Sequence, residues 1–471
     1  APHGSMGGHG VLPDRQPLFG RLASTGTGTF WHVTDWHVNE FQPPAANAED
    51  MCRTAAPSAS TEQPGSFGHP ECDPTPAGWR AALAEMSRLQ PAPDFIYAGG
   101  DWFGHVAKEH ETEDAVRSSA LLIARLVEQS FPGTPVLHAI GNHDTWPYYS
   151  QARTWLSMEA DWAQALGDEY IARNFPGAAR ASWRRGGYFA RRVTPSVQAV
   201  VLNTNDLALG GGAEQLAWLE AEMVAARRRG GKVLLMGHIP PGPSHCELDS
   251  ICLPGHYYQR AGGACWRRDA QARLLQLLRA YADVAPSSLF GHHHTESLRV
   301  LRDDHGVARH IMYLSPALTP RNPRHDPAVR LYQYERATGE VTNYTDVAFD
   351  IRRANRQQAI RWRQSSPAVR APPLNLTDLA PSSWATALER VLAADSRPRS
   401  RRELAADDPF LELMSPKRCA QEVYIDSGHP AVPPLRRCKL AVLCAVLHLE
   451  DEPYARCIGS AEEEGRDVES D

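Results

Sequence analysis

No stretch of this 471-residue chain reaches the roughly twenty apolar residues that a membrane helix needs, and Leu440 to Leu449 has about half that length. Positive charge is not in surplus either: 49 basic residues stand against 55 acidic ones, a net charge of -6. A basic stripe for a nucleic-acid polymer is therefore lacking, and the cluster from Arg399 to Arg402 reads as a solvated linker. No cysteines show the paired short spacing of a structural zinc site. Cys52, Cys72, Cys246, Cys252, Cys265, Cys419, Cys438, Cys444 and Cys457 read instead as disulfide formers. Together with the sequons at Asn343 and Asn375, which mark glycosylation sites, they point to a secreted or lysosomal protein. The acidic end, with Glu462 to Glu464, resembles no lipid-anchor signal. Residues 1–28 read as a tail whose Gly/His-rich opening has the look of a processed terminus.

What is present is an ordinary globular composition, 42% apolar and 22% charged, in which short apolar runs end in metal-type ligands. Pro135 to Ile140 is rich in branched aliphatics and reads as a buried strand that closes in Gly141-Asn142-His143-Asp144. Asn142 offers a neutral oxygen, His143 can shuttle a proton, and Asp144 can hold that imidazole in one orientation. Four other runs end in the same way. Thr29 to Val33 leads to Asp35 and His37, whose i, i+2 spacing puts both on one side if the strand continues. Asp94 to Ala98 leads to Asp101, with His105 four residues on. Lys232 to Met236 delivers His238, and Ser287 to Phe290 delivers His292, His293 and His294. Strand alternation assigns the outer two of these histidines to one side and turns His293 away. Only four of the chain's twenty histidines are among these seven candidate ligands.

Between these runs lie helical periods at Trp79 to Leu89, Glu113 to Ser130, Ala213 to Arg229 and Arg268 to Tyr281, so βαβ units accumulate and a largely parallel core is expected. Further strands are expected at Tyr188 to Val193, Gln198 to Asn203, Ser297 to Leu301, His310 to Leu314 and Val329 to Tyr334. The loop from Asn39 to Pro76 is too long to stand without structure, and a bridge between Cys52 and Cys72 is expected to pin it. From residue 350 to 471 the pattern turns arginine-rich, helix-like and proline-broken. The reading is a catalytic domain over 29–349 followed by a smaller helical region stapled by cysteines.

Asp35-x-His37, Gly100-Asp101, Gly141-Asn142-His143-Asp144, Gly237-His238 and Gly291-His292-x-His294 stand in the order typical of the calcineurin-like metallophosphoesterases. Phe30-Trp-His-Val-Thr-Asp35, Gly237-His-Ile-Pro-Pro-Gly242, Phe290-Gly-His-His-His-Thr295 and Cys438-Lys-x4-Cys444 resemble, more narrowly, the acid sphingomyelinase-like phosphodiesterases, over nearly the whole chain. The resemblance implies a four-layer α/β/β/α sandwich with a disulfide-stapled C-terminal helical subdomain and bridges Cys52 to Cys72, Cys419 to Cys438 and Cys444 to Cys457. It also implies two zinc ions per chain: one on Asp35, His37, Asp101 and His294, the other on Asp101, Asn142, His238 and His292, with Asp101 bridging. Nitrogen and oxygen donors suit zinc but would also take manganese or iron. Two ions about 3.5–4 Å apart can share a hydroxide and clamp both oxygens of an in-line displacement at phosphorus. His143 would protonate the leaving alkoxide, and His105 would bind a phosphoryl oxygen. No saposin-like, lipid-presenting domain is seen ahead of Asp35, and the loop of Cys246, Cys252 and Cys265 departs from the pattern, its pairing open. The expected activity is hydrolysis of small phosphodiesters or phosphoanhydrides, nucleotide-type substrates first, by a monomer. Sphingomyelin, reached through its lipid head group, comes next, and a secreted binding protein without turnover last.

Overall fold

The computed structural model describes residues 25–43, 45–57, 63–243, 266–320, 326–365, 375–395, 444–450, 452–454 and 456–457. Cys246, Cys252, Cys265, Cys419 and Cys438 lie outside these residues. In chain order the first half runs β1 (Thr27–Val33), α1 (Pro76–Leu89), β2 (Phe95–Ala98), α2 (Glu113–Ser130), β3 (Val136–His138), α3 (Thr154–Leu166), α4 (Asp168–Asn174), α5 (Ala178–Gly186), β4 (Phe189–Arg192), β5 (Val197–Val201), α6 (Thr204–Leu209) and α7 (Ala213–Arg228). The second half runs β6 (Lys232–Met236), α8 (Arg268–Ala280), β7 (Ser287–Phe290), β8 (Ser297–Arg302), β9 (Ala308–Leu314), β10 (Ala328–Glu335), β11 (Val341–Phe349), α9 (Ile351–Gln357), β12 (Trp362–Ser365) and α10 (Pro381–Asp395).

The strands form two six-stranded sheets, ordered β12-β11-β10-β1-β2-β3 and β4-β5-β6-β7-β9-β8. Parallel pairing is confined to β1-β2-β3, which ends the first sheet with β3 at its edge, and to β5-β6-β7-β9 in the middle of the second; the remaining pairs are antiparallel. The expected largely parallel core is thus half of a mixed architecture. Pleat alternation divides the buried residues: Val197, Ala199, Val201, Leu234 and Met236 join the core shared with the first sheet. Their neighbours Val200, Leu202, Val233 and Leu235 pack with Leu219, Met223, Leu274 and Leu278 of α7 and α8. Each such aliphatic side chain, fully buried, contributes about 1.5–3 kcal/mol. Polar ties also cross between the sheets, with Tyr97 donating to the Gly237 carbonyl oxygen at 2.8 Å and Ser315 Oγ lying 2.6 Å from His32 Nδ1.

Helix boundaries follow local chemistry. Thr112 caps α2 by accepting from the Ala115 amide at 3.2 Å, and Glu113 and Asp114 sit in the positive first turn. Its buried face, Val116, Ala120, Ile123, Ala124 and Val127, recurs at helical spacing. Thr75 caps α1 with Pro76 as the first helical residue.

Several elements were not legible in the sequence. Residues 154–186 hold three helices that sequence reading passed over, and β11 was missed because its burial alternates imperfectly. The helix-like reading from residue 350 omits β12, which runs along β11 with Phe349 opposite Trp362. Three of its four residues are exposed, so backbone hydrogen bonds rather than an apolar face hold it. Helix α10 buries Trp384 and Leu388 in the main core. Further on, Leu449 joins the core beside α8 while its carbonyl oxygen accepts from Gln271 at 2.9 Å. Bridges join Cys52 to Cys72 and Cys444 to Cys457. Asn375 is exposed, whereas Asn343 lies half-buried within β11. No described helix is long and apolar enough to cross a membrane.

Candidate metal centre

The loops after β1, β2, β3, β6 and β7 carry the seven candidate ligands, and these strands sit side by side with parallel neighbours within each sheet. Their carboxyl ends therefore open on one crevice, where side chains from distant segments meet. Ligand atoms of Asp35, His37, Asp101 and His294 lie within 4.8 Å of one another, and so do those of Asp101, His238 and His292. Asp101 belongs to both groups. Its Oδ2 is 3.5 Å from His37 Nε2 and 3.2 Å from His238 Nε2, and Asn142 Oδ1 lies 3.2 Å from that same His238 nitrogen. His293 takes part in neither group.

The backbone reason for this convergence differs from the expected one. Asp35, His37, Asp101, His292 and His294 have φ of 52°, 43°, 55°, 70° and 57°. They are therefore in the left-handed region and not in extended strand, so alternation does not explain why the pairs face one way. Each such residue costs about 1–3 kcal/mol. Backbone bonds offset that cost: the Asp35 amide donates to Gly100 O at 3.0 Å and the His37 amide to Asp101 O at 2.9 Å. The motif glycines follow from crowding here. A Cβ on Gly141 would come 2.1 Å from Asp101 Oδ1, and one on Gly291 would come 2.0 Å from Thr34 Oγ1.

Asp144 does something other than orient His143. It accepts from the Asp101 and Gly141 amides through Oδ2 and from the Trp102 amide through Oδ1, each at 2.7 Å. It thereby knits the loop bearing Asp101 to the loop bearing Asn142. Burial and the nearby Asp101 charge push its carboxyl up to about 7, while the amides pull it down.

The donor set fits a pair of divalent cations. His238 donates from Nδ1 to the Gly99 carbonyl oxygen at 2.7 Å, and His37 from Nδ1 to the Phe103 carbonyl oxygen at 3.0 Å. Both Nε2 lone pairs are thereby turned into the crevice, the arrangement usual for metal-ligating histidines. In the neutral ring the His238 Nε2 lone pair would face two further acceptors, Asp101 Oδ2 and Asn142 Oδ1. Burial works against a charged imidazole there, but Asp101 and Asp35 outweigh it and hold His238 up at about 9. The carboxylates thus demand a positive charge at this point, which a proton or a metal ion can meet. His292 Nε2 is buried without a partner among the described residues, and burial holds its imidazole neutral, well below the ordinary value.

A model described as calcineurin-like phosphoesterase matches residues 28–296, more than half of the sequence. The chain belongs to the calcineurin-like phosphoesterase family. Mouse acid sphingomyelinase-like phosphodiesterase 3b is 26% identical over 461 residues, covering 93% of this chain and 91% of that protein. Human cyclic GMP-AMP phosphodiesterase SMPDL3A is 24% identical and covers 94% and 92%. Sphingomyelin phosphodiesterase A of Dictyostelium discoideum is 26% identical and covers 79% and 62%.

In this phosphoesterase His105 and His143 stand beside the candidate metal ligands. The His105 ring stacks on His37 at 4.3 Å between centroids, and His143 sits 4.7 Å from His105 and 4.9 Å from His37. Sequence reading missed what holds His105. Asp73 Oδ2 accepts from the His105 amide at 2.6 Å and Oδ1 faces its Nδ1 at 3.0 Å, while Thr319 donates to that same Oδ1 at 3.1 Å. Asp73 is fully buried and directly follows Cys72, so the bridged loop delivers it to the phosphoesterase centre. A lone acidic residue in a proline-rich loop gave no signal of this.

Proposed function

We propose that the chain is a dinuclear zinc phosphodiesterase that hydrolyses small phosphodiesters or phosphoanhydrides, nucleotide-type substrates first. The supporting observation is the pair of ligand groups that share Asp101, with two more histidines, His105 and His143, at their side. Asp35, His37, Asp101 and His294 would hold one cation, and Asp101, Asn142, His238 and His292 the other. Bound there, two cations supply Lewis-acid polarisation of the phosphoryl oxygens and acidify a water molecule. His105, oriented by Asp73, donates to a phosphoryl oxygen. His143, whose amide is anchored on Asp101 Oδ1 at 2.8 Å, protonates the leaving alkoxide opposite the attacking water, a contribution of about 10²–10⁴ in rate. The nucleotide preference follows the name of the human cyclic GMP-AMP relative. A sphingomyelin activity is favoured by the name of the Dictyostelium relative and ranks second. The protein is a secreted or lysosomal monomer, bridged also between Cys419 and Cys438, with a glycan on exposed Asn375 and a second sequon at Asn343.

The test is a turnover screen on zinc-loaded protein with a nitrophenyl phosphodiester, cyclic GMP-AMP and sphingomyelin in vesicles, with and without detergent. Nucleotide phosphodiesters should turn over far faster than vesicle sphingomyelin. Fast hydrolysis of vesicle sphingomyelin without detergent reverses the ranking, and no turnover of any ester by protein holding two metal equivalents rejects the enzyme reading.

A further inference from the structure

Beside His143 stands a tyrosine to which the phosphodiesterase reaction assigns no part. Tyr148 packs its ring 4.8 Å from His143 and 5.9 Å from Phe103 and takes a Trp146 edge at 5.6 Å. Its hydroxyl oxygen is buried and has no hydrogen-bond partner among the described residues. A buried donor left without an acceptor is costly and calls for an explanation, and beside His143 a substrate oxygen supplies one. Burial, and then the charges of Glu111, Asp73 and Asp101, raise this phenol well above its ordinary value, so it stays a donor at every working pH.

The backbone on both sides of Tyr148 is tied down. Thr145 Oγ1 donates to the Pro147 carbonyl oxygen at 3.2 Å and accepts from the Ser150 amide at 3.4 Å. The Tyr149 amide donates to Asn142 O at 3.1 Å, and the Trp146 amide to Thr154 Oγ1 at 3.0 Å. His143 has His37 and His105 as close ring neighbours on the metal side, whereas Tyr148 contacts neither of those rings among the ring pairs that pack there. Tyr148 thus adjoins His143, the residue proposed to serve the leaving group, on the side away from those two rings.

We propose that Tyr148 is a specificity-determining residue whose hydroxyl donates to an oxygen of the leaving alcohol, so that the site selects leaving groups bearing sugar-type oxygens. The proposal rests on the phosphodiesterase reading and deepens it. A site that hydrogen-bonds a substrate oxygen discriminates against leaving groups that lack one.

The experiment compares wild type and Tyr148→Phe, full-length and zinc-loaded, on two esters. In adenylyl-adenosine the leaving group is a nucleoside. In thymidine 5′-(4-nitrophenyl phosphate) the nucleoside is retained and nitrophenolate leaves. Removal of the hydroxyl should lower kcat/KM roughly tenfold on the first and less than about threefold on the second, with zinc content and melting temperature unchanged. Equal losses on both esters would move the hydroxyl to the phosphoryl oxygens, and no loss on either would leave it without a part in binding; both outcomes overturn the proposal. Adenosine binding by calorimetry supplies a readout without turnover, with affinity expected to fall roughly tenfold in Tyr148→Phe. If wild type turns over neither ester, the phosphodiesterase reading fails, while equal adenosine affinity in the two proteins rejects the tyrosine's role by itself.

Discussion

Replacing Asp144 by Asn separates two accounts of the Gly141-Asn142-His143-Asp144 stretch. In the folded chain the carboxylate accepts three amides, from Asp101, Trp102 and Gly141, all at 2.7 Å. An asparagine amide has one oxygen, so at least one of these N–H groups must meet an NH₂. The favoured orientation keeps the oxygen at the position that serves Asp101 and Gly141 and leaves the Trp102 N–H unpaired. Loss of one hydrogen bond to a charged acceptor costs about 1.5–3 kcal/mol, and the two that remain weaken to neutral strength, for a total of about 3–5 kcal/mol. That is a large part of the roughly 5–15 kcal/mol that holds a typical domain. Urea unfolding of metal-loaded protein, in which bound cations would offset the Asp101 charge that helps raise this carboxyl, should show the loss as an earlier midpoint. Metal content should fall with it, because the loops of Asp101 and Asn142 are no longer tied. If Asp144 instead orients the His143 imidazole, Asp144→Asn will unfold at the wild-type midpoint and keep its metal while turnover alone declines. That result would refute a loop-tying role for Asp144.

Metal analysis of wild type should find about two equivalents per chain, and Asp101→Asn should lose more than a change at any other ligand, since only Asp101 belongs to both groups. Asp73→Asn keeps shape but removes the charge facing His105 Nδ1; kcat should fall roughly 10–100-fold, as for other orienting carboxylates, with KM and metal content unchanged. A wild-type kcat would discard that role for Asp73. Burial lowers the His310 imidazole to about 4, while its unfolded counterpart titrates near 6.5. The unfolded chain therefore binds the extra proton between those values. The contribution is complete above about pH 6.5 and is lost by about 1.4 kcal/mol per unit as pH falls toward 4, or about 2 kcal/mol at pH 5. Urea midpoints at pH 7 and pH 5 should converge in His310→Gln relative to wild type, and equal pH slopes would reject the assignment.

The chemistry of the site was legible in the linear chain because each candidate ligand directly follows a short apolar run. A buried strand must end, and its end is where polar residues can emerge; five such ends with aspartate, asparagine and histidine leave few uses other than a metal centre. The cysteine pairs Cys52 with Cys72 and Cys444 with Cys457 were likewise expected and are bridged. Geometry was not legible. Left-handed φ at Asp35, His37, Asp101, His292 and His294 depends on bonds to Gly100, Asp101 and other backbone groups distant in sequence, which no local period encodes. Asp144 has the same residue type in either role, and only its distance to three amides decides between them. Asp73 and Tyr148 belong to loops without periodicity, and the edge strand β12 has no apolar face. Local pattern determined which residues could carry the reaction, because strand ends and side-chain chemistry are properties of short segments. Tertiary packing alone decided which of them meet, since a hydrogen bond such as that between Asp73 and His105 depends on a separation in space that the sequence interval does not set.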